Sequence, residues 1–194
     1  MDTFIIFAQT SPHFFPIYSI LFGLLGTNLY LIILGCLLYS NAVFNKILKK
    51  IFKHMYETLN MDSLPLLGKG IRPKGAINCG SMPTLKSYTK LSKSYGMPSG
   101  HSQTVWFLYG FALLYLIKKF RNNTFPFKHQ ILNILLLYTS IILFLVIGIY
   151  ISRTRVIKGC HTINQVVFGG LIGFILGCIG FIITDYVITR FSSI

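Results

Sequence analysis

Apolar residues fall in four blocks long enough to cross a bilayer, separated by polar stretches of unequal length. The blocks run from about Phe15 to Tyr39, Ser99 to Ile117, Ile131 to Ile151 and Thr162 to Ile188. Runs of about 20 such residues predict membrane helices. After the first block the pattern changes. Val43, Phe44, Ile47, Leu48, Ile51 and Phe52 alternate with Lys46, Lys49, Lys50 and Lys53, which predicts an amphipathic interfacial helix over about 41–67. Gly68, Gly70, Pro73, Gly75, Gly80 and Pro83 interrupt any period, so 68–98 reads as a loop. Within the last block Gly169, Gly173 and Gly177 recur every fourth residue, a spacing that lets a neighbouring helix approach closely. The expected architecture is an all-α integral membrane protein. It is one domain over 1–194, with a bundle of about four transmembrane helices plus the interfacial one.

Composition agrees and narrows the chemistry. The chain is 53% hydrophobic and only 11% charged, with a mean hydropathy of +0.65, where a soluble domain carries about a quarter charged residues. Residues 1–12 contain no Lys or Arg, so no basic segment of a secretory signal precedes the first block, which reads as a retained helix. Eighteen basic residues face four acids, Asp2, Glu57, Asp62 and Asp185, for a net charge of +14. The cations are scattered over loops without a nucleic-acid module, so the excess points to anionic lipid heads and phosphate, with no nucleic-acid partner. Cys36, Cys79, Cys160 and Cys178 form no CxxC pair and are expected as free thiols packed like small hydrophobes. Four scattered acids are too few for a two-metal centre; no metal and no cofactor are expected. Four spans would place loops 40–98 and 152–162 on one face with 13 Lys and Arg, against 5 on the other. The positive-inside rule puts the richer face in the cytosol.

That richer face also gathers the reactive residues. Pro98 and Ser99 lead into the second span, where Ser99 is a good N-cap and the N–H groups from Gly100 onward suit an anion. His101 adds a proton-transfer group. Arg155 stands where the third span ends, and His161 and Gln165 lie one helical turn apart, hence on one face. Lys69 and Arg72 come from the loop. Guanidinium forks at Arg72 and Arg155 suit bidentate phosphate binding, with Lys69 as a point charge. Two histidines from different helices suit in-line phosphoryl transfer, one as nucleophile and one as acid. His13, assigned to the opposite face, and His54 and His129 lack this context. Arg153 and Lys158 read as topology or head-group residues, and Trp106, Phe107 and Tyr109 as packing or lipid-facing residues.

These residues resemble a known family. Pro98-Ser99-Gly100-His101, and Arg155 with five residues before His161, are similar to motifs of the phosphatidic acid phosphatase type 2 superfamily, whose signature is K-x6-RP, PSGH and SR-x5-H-x3-D. Gly96 to Gln103, Trp106-Phe107, His161-Thr162-Ile163-Asn164-Gln165-Val166 and Gly169-Gly170 look most like its dolichyldiphosphatase branch. The resemblance covers about residues 65–180. It implies that His161 is the nucleophile and His101 the acid, with Arg72, Ser99, Gly100 and Arg155 holding phosphate. The motif lysine position is Pro65, with Lys69 nearby as a substitute, and Gln165 stands where the superfamily has Asp. A Gln carbonyl can fix the His161 tautomer but adds no charge. The implied substrate is a polyprenyl diphosphate such as dolichyl diphosphate, and the implied site is the endoplasmic reticulum with the active face lumenal, against the charge count. A broader lipid phosphate phosphatase, acting on phosphatidic acid or undecaprenyl diphosphate, and an inactive lipid-binding relative are the alternatives.

Overall fold

The structure, a computed structural model, describes residues 3–58, 70–77, 79–80, 91–92 and 94–191. Five α-helices make it up: α1 (Thr3–Leu25), α2 (Leu29–Thr58), α3 (Gly100–Arg121), α4 (Gln130–Ile157) and α5 (Ile163–Phe191). Helices α2, α4 and α5 are each long and apolar enough to cross a membrane.

Helix α3 is the axis of the bundle, in contact with the other four. It carries His101, Ser102, Gln103 and Thr104 in its first turns, all buried. Such side chains would be costly against lipid, and the surrounding helices let them find partners inside the protein. Gln103 donates to Asn41 Oδ1 and accepts from Asn45 Nδ2, both at 2.7 Å, tying α3 to α2. Ser102 donates to the Val166 carbonyl at 2.7 Å, tying α3 to α5. Farther along, Phe107, Leu108 and Phe111 form the apolar core with Leu34, Leu38 and Phe181.

The glycine spacing in the last block does what it predicts. A Cβ on Gly169 would lie 2.6 Å from the Ser99 carbonyl oxygen, and one on Gly173 or Gly177 would collide with the carbonyls of Gln103 and Phe107. Helix α5 can therefore lie directly on the α3 backbone.

Two expectations about the first half need correction. The block from Phe15 to Tyr39 is not one span. It breaks at Gly26-Thr27-Asn28, where Thr27 takes a left-handed φ of 47° and the Asn28 N–H closes on the Gly23 carbonyl at 2.8 Å. Asn28 Oδ1 then accepts from the Leu31 N–H at 3.4 Å as α2 begins. A short polar break inside apolar sequence is hard to see in hydropathy, yet the two flanking helices pack on each other as a hairpin. Likewise, no separate interfacial helix starts at Asn41. Residues 41–58 continue α2, and 59–67 lie outside the described residues. At 30 residues α2 is about 45 Å long, some 15 Å more than the hydrocarbon core, so its last turns project beyond it.

The extra helix also relocates the N-terminal segment. Gln9 of α1 donates to the Gly80 carbonyl at 3.1 Å and accepts from Lys158 at 3.0 Å. The start of α1, and His13 with it, lies at the same end as loop 70–98, not on the opposite face. At the far end Lys118, Asp185 and the Tyr30 hydroxyl form a half-buried cluster. The cysteines also depart from expectation. Cys79 and Cys160 form a disulfide with Cα atoms 5.5 Å apart, leaving Cys36 and Cys178 free.

Candidate active site

The position of His161 is built by the way α4 ends. Gly159 adopts a left-handed φ of 62°, a conformation suited to glycine. The chain then folds back so that the N–H groups of Cys160 and His161 both reach the Arg155 carbonyl, at 3.0 and 3.2 Å. His161 and Arg155 are thereby locked to one corner of the bundle.

Gln165 sets the imidazole. Its Nε2 donates to the Ile71 carbonyl at 2.7 Å, and its Oε1 accepts from the Thr162 N–H at 3.3 Å. These two bonds fix which way the amide points. The Oε1 atom lies 3.1 Å from His161 Nδ1 and so accepts a proton from it. The lone pair of His161 is left on Nε2, 3.0 Å from Arg72 Nη1. A neutral ring with its lone pair aimed at a cation is the form that can attack an electrophile. Burial, followed by the charges of Arg72, Lys49 and Arg155, pushes the His161 pKa down to about 2, so the ring stays neutral at any ordinary pH.

The cations come from three elements. Arg72 reaches in from the loop, its Nε donating to Ser94 O at 2.9 Å, Nη2 to Ser94 Oγ at 2.8 Å, and Nη1 to Cys160 O at 2.7 Å. Burial lowers its pKa to about 10, and it stays charged. Arg155, in the last turn of α4, is 0% exposed. Its Nη2 donates to Cys79 O at 2.9 Å, while Nε and Nη1 are buried with no hydrogen-bond partner among the described residues. Lys49, on the projecting part of α2, donates to the Tyr95 carbonyl at 2.6 Å. Lys49, Arg72, Gly100, His101 and His161 line one cavity of about 270 Å³, and no carboxylate lies among its described lining residues.

At the start of α3, Ser99 occupies the N-cap position but its hydroxyl makes no capping bond, contrary to the capping role expected. Its Oγ is buried without a partner among the described residues. Its N–H donates instead to the Gln165 carbonyl at 3.0 Å, which pins α3 to α5. His101 points Nε2 at the Gln9 carbonyl, 2.9 Å away, and so donates its proton there.

The structure thus gathers His101, His161, Gln165, Arg72, Ser99, Gly100 and Arg155 in one corner. Lys69 lies outside the described residues. Lys49 and Gln9 were not singled out by sequence reasoning. Lys49 had a readable trace, since Asn41, Asn45 and Lys49 recur every fourth residue, and the first two are buried against α3. Gln9 had only its polarity inside an apolar stretch.

Comparison with known proteins identifies relatives of the chain. Human dolichyldiphosphatase 1 is 35% identical over 104 residues, covering 53% of this chain and 42% of the human protein. The mouse protein of the same name gives the same figures. Dolichyldiphosphatase 1 of Dictyostelium discoideum is 35% identical over 95 residues, 49% of this chain and 38% of the relative. The aligned part thus spans about two fifths of the curated relatives it matches. No solved structure matches. Residues 29–188 match the PAP2 superfamily, a range that takes in every helix of the bundle except α1, and the chain belongs to that superfamily.

Proposed function

We propose that this chain is a metal-independent phosphatase that cleaves a polyprenyl diphosphate, of the dolichyl diphosphate kind, to the lipid monophosphate and inorganic phosphate. The observation that carries the chemistry is the cluster of Lys49, Arg72 and Arg155 packed beside two histidines, with no carboxylate among the described lining residues. Buried cations lacking a countercharge are costly unless an anion joins them. A phosphoryl group, with three oxygens around a flattening phosphorus, suits that set of donors.

In this reading the Nε2 lone pair of His161 attacks the terminal phosphorus, and the bond from phosphorus to the bridging oxygen breaks. The leaving lipid monophosphate takes a proton from His101 Nδ1, which first receives it from an acidic oxygen of the bound diphosphate while Nε2–H stays on the Gln9 carbonyl. Water, deprotonated by the same histidine, then attacks the phosphohistidine, releases phosphate and restores the ring. Arg155 supplies Nε and Nη1, Ser99 its hydroxyl, and the first N–H groups of α3, starting at Gly100, complete the grip. Lys49 takes the part that sequence reasoning gave to Lys69. Gln165 holds the proton on Nδ1 throughout.

The lipid class rests on the likeness to dolichyldiphosphatase 1, as does placement in the endoplasmic reticulum. Phosphate release by the purified protein, in chelator-containing detergent, tests the reading. Dolichyl diphosphate is turned over faster than phosphatidic acid, and His161→Ala abolishes release from both. Release that survives His161→Ala would contradict the mechanism, and a preference for phosphatidic acid would contradict the substrate.

A further inference from the structure

We infer that the Cys79–Cys160 disulfide is a positioning element of the phosphate site, one that needs the oxidising face already implied for the catalytic end of the bundle by the family resemblance. The inference rests on the phosphatase reading above for its kinetic part only.

The bond joins segments 81 residues apart in sequence, and the contacts around it are crosswise. Cys79 belongs to the loop that carries Arg72, yet its carbonyl holds Arg155 of α4, at 2.9 Å. Cys160 belongs to the turn that follows Arg155, yet its carbonyl holds Arg72 of the loop, at 2.7 Å. Each half-cystine thus grips the guanidinium borne by the other's segment. The residue after Cys160 is His161, whose Nε2 faces the same Arg72 nitrogen. One covalent bond therefore fixes the spacing of both arginines and the imidazole.

The other described ties of the loop to the bundle are hydrogen bonds, such as Gln165 Nε2 to the Ile71 carbonyl and Gln9 Nε2 to the Gly80 carbonyl. The loop's described part contains no helix, and its strand pairing is the single bridge of Ile77 with Leu91. Ala76, Cys79 and Cys160 make only a small buried cluster. Ordering a loop of this kind costs backbone entropy that a few hydrogen bonds offset poorly, and a cross-link reduces that cost. Phosphate ligands held on such a loop lose their geometry when the bond opens, and misplacement by about 1 Å is enough to cost a hundredfold in rate.

Disulfides persist in the secretory lumen and outside cells, and are kept reduced in the cytosol. The charge count favoured the cytosol for this face, but Lys49, Arg72 and Arg155 are turned into the site, where they answer to a ligand. A covalent bond that needs an oxidising environment is the stronger indicator. Opening it takes two electrons and two protons from a dithiol, which itself closes to a cyclic disulfide, and leaves thiols on Cys79 and Cys160.

The test uses the full chain in sealed microsomes and in detergent. After denaturation, maleimide-polymer labelling counts two thiols, Cys36 and Cys178, without reductant and four after it. A membrane-impermeant reductant outside sealed microsomes leaves the count at two until detergent is added. In detergent, dithiothreitol or the Cys79→Ser/Cys160→Ser pair raises KM and the inhibition constant for orthovanadate together, by at least about tenfold. Reoxidation of the dithiothreitol-treated protein restores both, and Cys36→Ser/Cys178→Ser changes neither. Four thiols without reductant, or opening by the external reductant, overturns the disulfide or its compartment. A lower yield or melting temperature with KM and vanadate inhibition unchanged overturns the positioning role. If the unmodified protein releases no phosphate from any lipid, the phosphatase reading fails by itself, and the thiol counts still decide the bond.

Discussion

A neutral imidazole beside two guanidinium groups and Lys49, whose pKa burial and the neighbouring arginines push down to about 7, is the residue-scale feature on which the chemistry turns. His161 titrates near pH 6.5 in an unfolded chain but only near pH 2 in its buried place. Below pH 6.5 the unfolded state therefore binds a proton that the folded state refuses, and stability falls as pH falls, by up to about 1.4 kcal/mol per pH unit. Melting of the detergent-solubilised protein should drop steadily from pH 6.5 to 4.5, and His161→Asn should lessen the drop. Lys49→Met should raise KM by at least about tenfold, with Lys49→Arg a poor rescue because the fork does not fit a point-charge site. Gln165→Leu should instead lower kcat, by about tenfold to a hundredfold with KM little changed, since it frees the ring rather than the phosphate. Steady-state kinetics on the three variants separates these roles. Most of this corner was legible because His101, Arg155 and His161 lie in short local patterns. Lys49 was hidden because a helix, not a motif, brings it there. The pairing of Cys79 with Cys160 was hidden because sequence spacing carries no information about contacts 81 residues apart.

Between elements, the site depends on how closely α5 approaches α3. Ser99, Gln103 and Phe107 present backbone carbonyls to Gly169, Gly173 and Gly177, so even a methyl group there must push the helices apart. Gly173→Ala should destabilise by about 1–3 kcal/mol or more, as overpacking does. Gly148→Ala is the internal control. Its added methyl would lie 3.6 Å from Trp106, an ordinary contact, and alanine is the better helix former. Thermal melts in detergent should show a loss for the first and none for the second. The four-residue spacing announced this packing in advance. The turn at Gly26-Thr27-Asn28 gave no such notice, because the residues on both sides are equally apolar and hydropathy does not register a reversal of direction.

At the scale of the molecule, five helices among the described residues in place of four change which ends belong together. Gln9 reaches Gly80, His101 and Lys158, while Asp185 meets Lys118 and Tyr30 at the other end of the bundle. The start of α1 should therefore share a membrane face with the catalytic loop, and the end of α5 should lie on the opposite one. Glycosylation acceptors inserted before Thr3, near Lys74 and after Phe191 would report this as two modified sites and one unmodified. Agreement between the first and third would contradict the hairpin of α1 and α2. The most direct measurement of the central claim is the covalent intermediate itself. Brief reaction with terminally labelled polyprenyl diphosphate, alkaline quenching and peptide mass spectrometry should find the phosphoryl group on His161. Turnover with the label on another residue, or on none while Gln165→Leu and Lys49→Met remain fully active, would contradict the account.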